Sequence, residues 1–495
     1  MMKIFRSVIV ACLLCFNLCA QDKKAEGNGL NVLILGGTTF LGPHLTNELL
    51  SRGHKVTHFT RGNSFSFPGV ENLVGDRDGN LKVLEGRKWD VVIDTSGYLP
   101  RVVEASSKIL AKATRHYIFI SSISVYNDLN QLDIDENSPL ARLDDTHDET
   151  IRGKNYGPLK AGCEKVIQSY FPENSLIIRP GLIVGPYDPT DRFTYWVKRI
   201  ADGGKVLLPN SPKQKLQFID VRDLAQWIVK MIEEGAVGIY NATGPKEDLC
   251  FEQFINECSR FAKKKVEFIW ADENFLIDHH LDNWEKLPLW LSSKSNMVGL
   301  FSINCQKAQD KGLSYRPLAQ TIFDTLRWFD RINRKLRVGL SPEEEAIITN
   351  NLEKFSVLRQ FNLPCDQYAI TGSGPLGIRN LKAIGDIDII VIQELWDQLV
   401  AKYGITDQNG VRKIAFPGGV VEGFQEGSFY EEPFDNQVPS IPSRIANAEM
   451  IDGLPFDSME TILYFKRKAQ REKDLKDIRL SAYWLHYCAL NITIP

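Results

Sequence analysis

The chain has little that would mark it as a nucleic-acid, membrane or disulfide protein. Its 59 lysines and arginines are balanced by 62 aspartates and glutamates, a net charge of -3. That balance offers no polyanion-binding surface, so DNA is not an expected partner. The apolar run Ser7 to Ala20 falls short of the roughly 20 residues a spanning helix needs. No internal repeat and no low-complexity tract is present, which excludes solenoids and long disordered segments. Of the 9 cysteines, Cys12, Cys15 and Cys19 lie near the N-terminus. Cys163, Cys250, Cys258, Cys305, Cys365 and Cys488 have neither metal-site nor framework spacing, so buried reduced thiols are expected for most of them.

What is present begins with a leader. Lys3 and Arg6 precede the apolar run, and the polar Gln21-Asp22-Lys23-Lys24 follows it, which is the layout of a secretory signal peptide over residues 1–20. At 495 residues the chain is too long for one ordinary core. A boundary is expected near Gly339, because Ser341 as N-cap and Pro342 at the first helical position announce a new helix. The expected modules are therefore 28–335 and 341–495, with substrate-binding parts mainly in 180–215 and 245–335.

The region after the leader alternates strands and helices. Asn31–Leu35 is a nearly unbroken apolar run, as in a strand buried on both faces. Gly36 to Gly42 turns the chain, and Leu45, Leu49 and Leu50 then recur at helical spacing. Further strands are expected at His54–Thr60, Leu73–Val74, Asp90–Asp94, His116–Ile120, Ser175–Arg179 and Gly238–Asn241. Helices are expected at Val102–Lys112 and Pro158–Tyr170. The pattern predicts an α/β, Rossmann-like doubly wound parallel sheet with a small substrate subdomain. A strand, a glycine turn and a helix in that order present free backbone N–H groups to a pyrophosphate. The Trp270 to Trp290 stretch reads as irregular and suited to capping a cleft.

Tyr156 and Lys160 stand four residues apart at the start of a predicted helix, and an ammonium near a phenol favours the phenolate. Such a tyrosine can exchange a proton with a substrate hydroxyl while a nicotinamide exchanges hydride. Ser122, at the end of the fifth strand, is positioned to hydrogen-bond the same oxygen. Arg61, after the second strand, stands where a carboxylate would grip the ribose of NAD, and a guanidinium suits a 2′-phosphate, so NADP is favoured over NAD. Arg192 is a candidate for a substrate phosphate or carboxylate, with a surface salt bridge as its alternative role.

Six segments carry a resemblance: LGGTTFLG (Leu35–Gly42), DVVIDTSGY (Asp90–Tyr98), FISSISVY (Phe119–Tyr126), YGPLK (Tyr156–Lys160), IIRPGLIVGPYDPTDRF (Ile177–Phe193) and FIDVRDLA (Phe218–Ala225). From about Asn31 to Arg334 the chain resembles the extended short-chain dehydrogenase/reductases, the NAD-dependent epimerase/dehydratase group. The resemblance implies Ser122, Tyr156 and Lys160 as the catalytic set, with Lys160 also on the nicotinamide ribose. It implies Gly36, Thr38, Thr39, Phe40, Leu41 and Gly42 around the pyrophosphate, Asp76 near the adenine, and dimers as common. One position departs: Thr39 replaces the middle glycine of the family's turn and adds a Cβ there. A subgroup with GGT-x-F-(L/I)-G turns, which includes chloroplast stem-loop-binding proteins, shares this, and some of its members bind RNA.

A second constellation lies near the C-terminus. Gly372 and Ser373 follow one predicted strand, and Asp386 and Asp388 put two carboxylates on one face of the next. Paired carboxylates repel unless a cation lies between them, which a Mg²⁺ site exploits, and Glu422 on a neighbouring strand is a candidate third ligand. From roughly Glu343 to Ala489 the segment resembles the nucleotidyltransferase fold, an α+β domain whose signature is G-S, then D-x-D, then a distal carboxylate. The resemblance implies that Gly372 and Ser373 hold nucleotide phosphates and makes an NTP a second small-molecule partner. A helix carrying Lys466, Lys468, Arg471, Lys473 and Asp474 also fits that family.

The expected activity is that of a nicotinamide-dependent epimerase, dehydratase or reductase on a nucleotide sugar or similar polyol, with a C-terminal nucleotide-transferring module. The alternative is a nucleotide- or RNA-binding protein with a vestigial redox site, against which the retained Ser122, Tyr156 and Lys160 argue. The leader favours export to the periplasm; the cytoplasmic supply of NADPH and nucleoside triphosphates favours the cytoplasm.

Overall fold

The computed structural model describes residues 29–62, 67–145, 148–408, 411–425, 428 and 438–489. The leader expectation, residues 1–20, lies outside them. The chain divides into two compact units: the described residues within Met1–Ser121, Leu143–Ile178 and Ala225–Ile239, and those within Ser122–Arg142, Arg179–Leu224 and Tyr240–Pro495.

The apolar runs become strands: β1 (Asn31–Leu35), β2 (Lys55–Thr60), β3 (Glu71–Val74), β4 (Trp89–Asp94), β5 (Thr114–Ile120), β6 (Ser175–Pro180) and β7 (Gly238–Ala242). They form one sheet of order β7-β6-β5-β4-β1-β2-β3, with β1–β2, β1–β4, β2–β3, β4–β5 and β5–β6 all parallel. Val32 to Leu35 are completely buried, which is why β1 shows no polar alternation. The strand order reverses at β1, so the crevice beyond the carboxyl ends of β1 and β4 is the switch point where such sheets bind ligands. The helices of the first unit include α1 (Leu41–Ser51), α2 (Pro100–Leu110) and α3 (Tyr156–Tyr170). Tyr156 is thus the first residue of α3, earlier than the start expected at Pro158, and Lys160 lies one turn further on.

The second unit contains α4 (Arg192–Asp202); α5 (Val221–Glu233) begins in it and continues into the first unit. α6 (Leu318–Ile332) and α7 (Pro342–Arg359) follow. The strands Gly204–Pro209 and Val266–Ala271 pair in parallel. The tryptophan stretch is less irregular and more buried than expected: it holds the helix Glu273–Asp278, and Trp290 is only 2% exposed. Two of its indoles are satisfied inside the unit, Trp284 Nε1 donating to Trp290 O at 2.7 Å and Trp290 Nε1 to Ser211 Oγ at 3.1 Å. This stretch therefore builds core.

Helix α7 starts where its cap announced it. Ser341 Oγ accepts from Glu344 N at 3.2 Å, and the Glu344 carboxylate accepts in turn from Ser341 N at 2.9 Å. The next residue, Glu345, is buried and accepts from Leu207 N at 2.8 Å and from Arg199 Nε, docking α7 on the strand Gly204–Pro209. One apolar cluster then runs from Val184 to Phe456.

The C-terminal segment forms a second seven-stranded sheet from β8 (Tyr368–Thr371), β9 (Ile387–Val391), β10 (Thr406–Gln408), β11 (Val411–Ala415), β12 (Val421–Phe424), β13 (Glu449–Ile451) and β14 (Leu454–Phe456). Its order is β10-β11-β12-β9-β8-β14-β13, mixed parallel and antiparallel. The single basic helix expected around Lys466 to Asp474 is two helices, α8 (Met459–Ala469) and α9 (Asp474–Ala489). Gln470, in the left-handed region at φ 45°, ends the first.

Candidate functional site

At the mouth of β1 the chain must turn sharply, and three residues take positive φ: Gly36 at 95°, Gly37 at 86° and Phe40 at 44°. Gly36 N donates to Phe59 O at 3.0 Å, which keeps the turn over the end of β2. A Cβ at Gly42 would lie 2.4 Å from Gly37 Cα, so the first turn of α1 rests directly on the backbone of the loop. Thr39 is exposed, and the left-handed angles fall on its neighbours and not on it. Its Cβ therefore does not strain the turn. Thr38 is half-buried, and Leu41 is buried at the helix start. The first turn of α1 has neither a side-chain cap nor an acidic residue, so its N–H groups are unopposed by carboxylate charge.

Beneath this loop lies a histidine that the sequence did not single out. His58 is fully buried, and its Nε2 is 2.8 Å from Thr46 Oγ1, whose proton goes to Gly42 O at 2.8 Å. The ring therefore donates from Nε2 and leaves Nδ1 as an unpartnered acceptor. Burial lowers its pKa to about 4, so it is neutral at physiological pH. Its place under Gly37, whose Cβ would meet the ring at 3.0 Å, explains why that position is glycine.

The segment Asp94-Thr95-Ser96-Gly97 closes the other side of the crevice residue by residue. Asp94 takes both guanidinium nitrogens of the buried Arg77, at 2.7 and 2.8 Å, and the Tyr117 hydroxyl at 3.0 Å. Thr95 Oγ1 and Ser96 Oγ donate to Leu35 O at 2.9 and 3.1 Å, tying β4 to the end of β1. Gly97 O receives Lys160 Nζ at 2.8 Å, and Ile120 O receives it at 2.6 Å. Lys160 also stands 4.2 Å from the Phe119 ring centre and 5.3 Å from that of Tyr98. Burial lowers its pKa to about 8.

The other predicted residues fall as follows. Tyr156 is half-buried on the same helix as Lys160. Ser122 belongs to the second unit, where it caps a short 3-10 turn by accepting from Ser124 N at 3.1 Å. Arg61 is exposed just past β2. Asp76 caps its own turn, accepting from Asp78 N at 3.0 Å. Arg192 opens α4 with its guanidinium 5.3 Å from the Trp284 ring centre, while its neighbour Asp191 is held by both terminal nitrogens of Arg334, the longer bond being 2.6 Å.

In the C-terminal sheet the register brings the predicted carboxylates together. Asp388 on β9 is paired with Glu422 on β12, and Asp386, Asp388 and Glu422 each offer an oxygen within 4.8 Å of the others. Gly372 has φ 63°, and a Cβ there would sit 2.2 Å from Asp388 Oδ2, so glycine leaves room beside that carboxylate. Lys413 on β11 donates to Glu422 at 2.7 Å. These groups share a cavity of about 660 Å³ with Ser373, Lys382, Lys466, Arg471 and Lys473. Lys466 is the most buried of the cations and reaches Ser373 Oγ at 3.3 Å and Asp474 at 3.1 Å. The sequence reading placed Lys466 and Arg471 on a basic helix but missed Lys382; the signal was a lysine four residues before the D-x-D pair.

Comparison with known proteins adds the following. Residues 98–243 match the model of the NAD dependent epimerase/dehydratase family. A relative, chloroplast stem-loop binding protein of 41 kDa b from Arabidopsis thaliana, is 31% identical over 251 residues, 46% of this chain and 62% of that protein. The chain thus spans less than two thirds of the relative it matches. Among solved structures, the Bordetella bronchiseptica enzyme WbmG in complex with NAD is 16% identical with a TM-score of 0.49, covering 64% of this chain and all 100% of that one. UDP-N-acetylglucosamine 4-epimerase from Bacillus cereus is 16% identical with a TM-score of 0.47, covering 62% and 99%.

Proposed function

We propose that the N-terminal part of the chain is an NAD(P)-dependent epimerase, dehydratase or reductase acting on a nucleotide sugar or related polyol. The observation that carries this is the loop Gly36 to Gly42, with its backbone donors unopposed at the head of α1 and a Cβ excluded at Gly42, in a chain that matches the epimerase/dehydratase model. The pyrophosphate lies against Gly36, Thr38, Thr39, Phe40, Leu41 and Gly42, and Arg61 favours NADP over NAD. The nicotinamide supplies hydride transfer when bound. Ser122 and Tyr156 hold and move the proton at a substrate hydroxyl, and Lys160 favours the phenolate and meets the nicotinamide ribose.

The C-terminal module, 341–495 in this reading, transfers nucleotides. Asp386, Asp388 and Glu422 are the hard oxygen donors that Mg²⁺ takes, and Gly372 and Ser373 hold the nucleotide phosphates. The signal-like leader supports export, with a cytoplasmic location as its alternative, and a homodimer is the expected assembly.

Fluorescence titration with NADPH and NADH, then turnover of a UDP-sugar panel by the unaltered protein and Tyr156→Phe, tests the first module. Turnover should drop by orders of magnitude in the variant. Equal turnover by both proteins removes Tyr156 from the mechanism. Mg²⁺-dependent transfer from labelled NTPs should vanish in Asp386→Ala and Asp388→Ala; its absence in the unaltered protein defeats the transferase reading. The second reading, an RNA-binding protein, draws support from the name of the Arabidopsis relative, a stem-loop binding protein. Binding of cofactor and of a stem-loop RNA, with no turnover of any sugar nucleotide, selects it.

A further inference from the structure

The cavity of the C-terminal sheet carries its cations in an unusual way. Lys382 arrives from the loop before β9 and Lys466 from α8, so nothing in their own elements brings them together. Both end on Asp477 of α9: Lys382 Nζ donates to Oδ1 at 2.7 Å, and Lys466 Nζ lies 2.9 Å from Oδ2. Ser373 Oγ is 3.4 Å from the same Oδ2. Asp474, one turn earlier on α9, takes Lys466 at 3.1 Å and Arg471 Nε at 2.6 Å. The two carboxylates line the cavity together with Lys382, Lys466 and Arg471, yet they are almost wholly buried, at 0% and 1% exposure. Burial by itself raises the Asp477 carboxyl, and the hydrogen bonds from Lys382 and Lys466 outweigh it and hold the group below the usual carboxylate range.

Mobile lysines lose rotamer freedom when a ligand orders them, a cost of up to roughly 2 kcal/mol per side chain. Ammonium groups already fixed by a buried carboxylate have met that cost before a ligand arrives. Asp477 lies in the cavity wall, but it is only 1% exposed and its two oxygens are taken by Lys382 and Lys466. Its effect passes through Lys382 and Lys466.

We propose that Asp477 is the positioning residue of a polyphosphate seat made by Lys382, Lys466 and Ser373, next to the Asp386, Asp388 and Glu422 set. The proposal rests on the nucleotide reading of this module and deepens it by naming the groups that hold the polyphosphate chain. On charge alone, removing a carboxylate beside the seat should tighten anion binding; if the carboxylate positions the lysines, removing it should weaken binding. The two accounts predict opposite signs.

The test is calorimetric titration of the full chain with MgATP and with inorganic tripolyphosphate. Asp477→Asn, with its melting temperature recorded, is expected to bind tripolyphosphate at least about tenfold more weakly, the worth of one charge-assisted hydrogen bond. Asp477→Glu should recover part of that loss. Unchanged or tighter binding by Asp477→Asn overturns the proposal. Should Asp477→Asn not fold, the double variant Asp477→Asn with Lys382→Met, which restores charge balance, replaces it. Its loss should exceed that of Lys382→Met alone, because Lys466 then keeps Asp474 but loses its closer partner Asp477; an equal loss overturns the proposal. Amine labelling of the unaltered chain should show Lys382 and Lys466 shielded by tripolyphosphate, and shielding of Lys413 and Lys473 instead overturns it. If the unaltered protein binds neither probe, the nucleotide reading fails first, a result distinct from normal binding with an indifferent Asp477.

Discussion

The two candidate sites use charge in opposite ways. At the first, the Arg77–Asp94 pair is sealed, with side chains 9% and 0% exposed, and the turn at the head of α1 offers backbone N–H groups and glycines. At the second, charges of both signs line one cavity, and pairs such as Lys413–Glu422 remain partly open, at 18% and 23% exposure. A site made of backbone tolerates changes of charge nearby but not added atoms. A site made of ion pairs tolerates added atoms where space allows but not lost charges. Each should therefore fail under a different kind of substitution.

The largest expected effect breaks the sealed pair. Arg77→Met leaves Asp94 buried and uncompensated and should destabilise the first unit by about 3–5 kcal/mol, read from urea unfolding. The matching change at the open pair, Lys413→Met, should cost less than ~1 kcal/mol because water still reaches the partner. Equal losses would erase the contrast.

Next comes Lys160, the buried ammonium of the first crevice. Lys160 releases its proton at about 8 in the folded chain and at an ordinary 10.5 when unfolded. Between those values the unfolded state binds more protons, so stability rises with pH, and below about 8 the buried ammonium is carried at a cost. The span amounts to ~3 kcal/mol, and Lys160→Met should flatten it in unfolding midpoints taken from pH 7.5 to 10. In turnover the sign reverses: support of the Tyr156 phenolate needs the charged lysine and should fade as pH passes 8.

A smaller effect separates the glycines. Gly42→Ala drives a methyl into Gly37 and should cost ~1–3 kcal/mol together with cofactor binding. Gly385→Ala, beside Asp386, meets nothing within 4 Å and should stay within ~0.5 kcal/mol of the parent. The smallest is Thr39→Gly. Because Thr39 is exposed and its backbone unstrained, dissociation constants for NADPH should move less than about twofold, measured by fluorescence; a collapse would show that the loop depends on that Cβ.

Much of this was readable from the chain. Buried parallel strands announce themselves as unbroken apolar runs, and β1, β4, β5 and β6 lie where those runs are. The helix start at Ser341 follows from a short-range capping rule, whereas Glu422 came into view only through the D-x-D pattern and the resemblance it carries. What stayed hidden was long-range. Arg77 and Asp94 are 17 residues apart, His58 reaches Thr46 across a strand and a helix, and Lys382 meets Asp477 across 95 positions. Such partners carry no periodicity, so only the folded chain reveals them. The break at Gln470 was hidden for a different reason: a glutamine in the left-handed region leaves no compositional mark.

The central claim is that the loop Gly36 to Gly42 holds a nicotinamide dinucleotide. Its most direct test is titration of the full chain, and of Gly42→Ala, with NADPH and NADH by fluorescence. Saturable binding by the unaltered chain, tighter for NADPH than for NADH and lost in Gly42→Ala, is the predicted result. No saturable binding of either cofactor to the unaltered chain, or undiminished binding by Gly42→Ala, would contradict it.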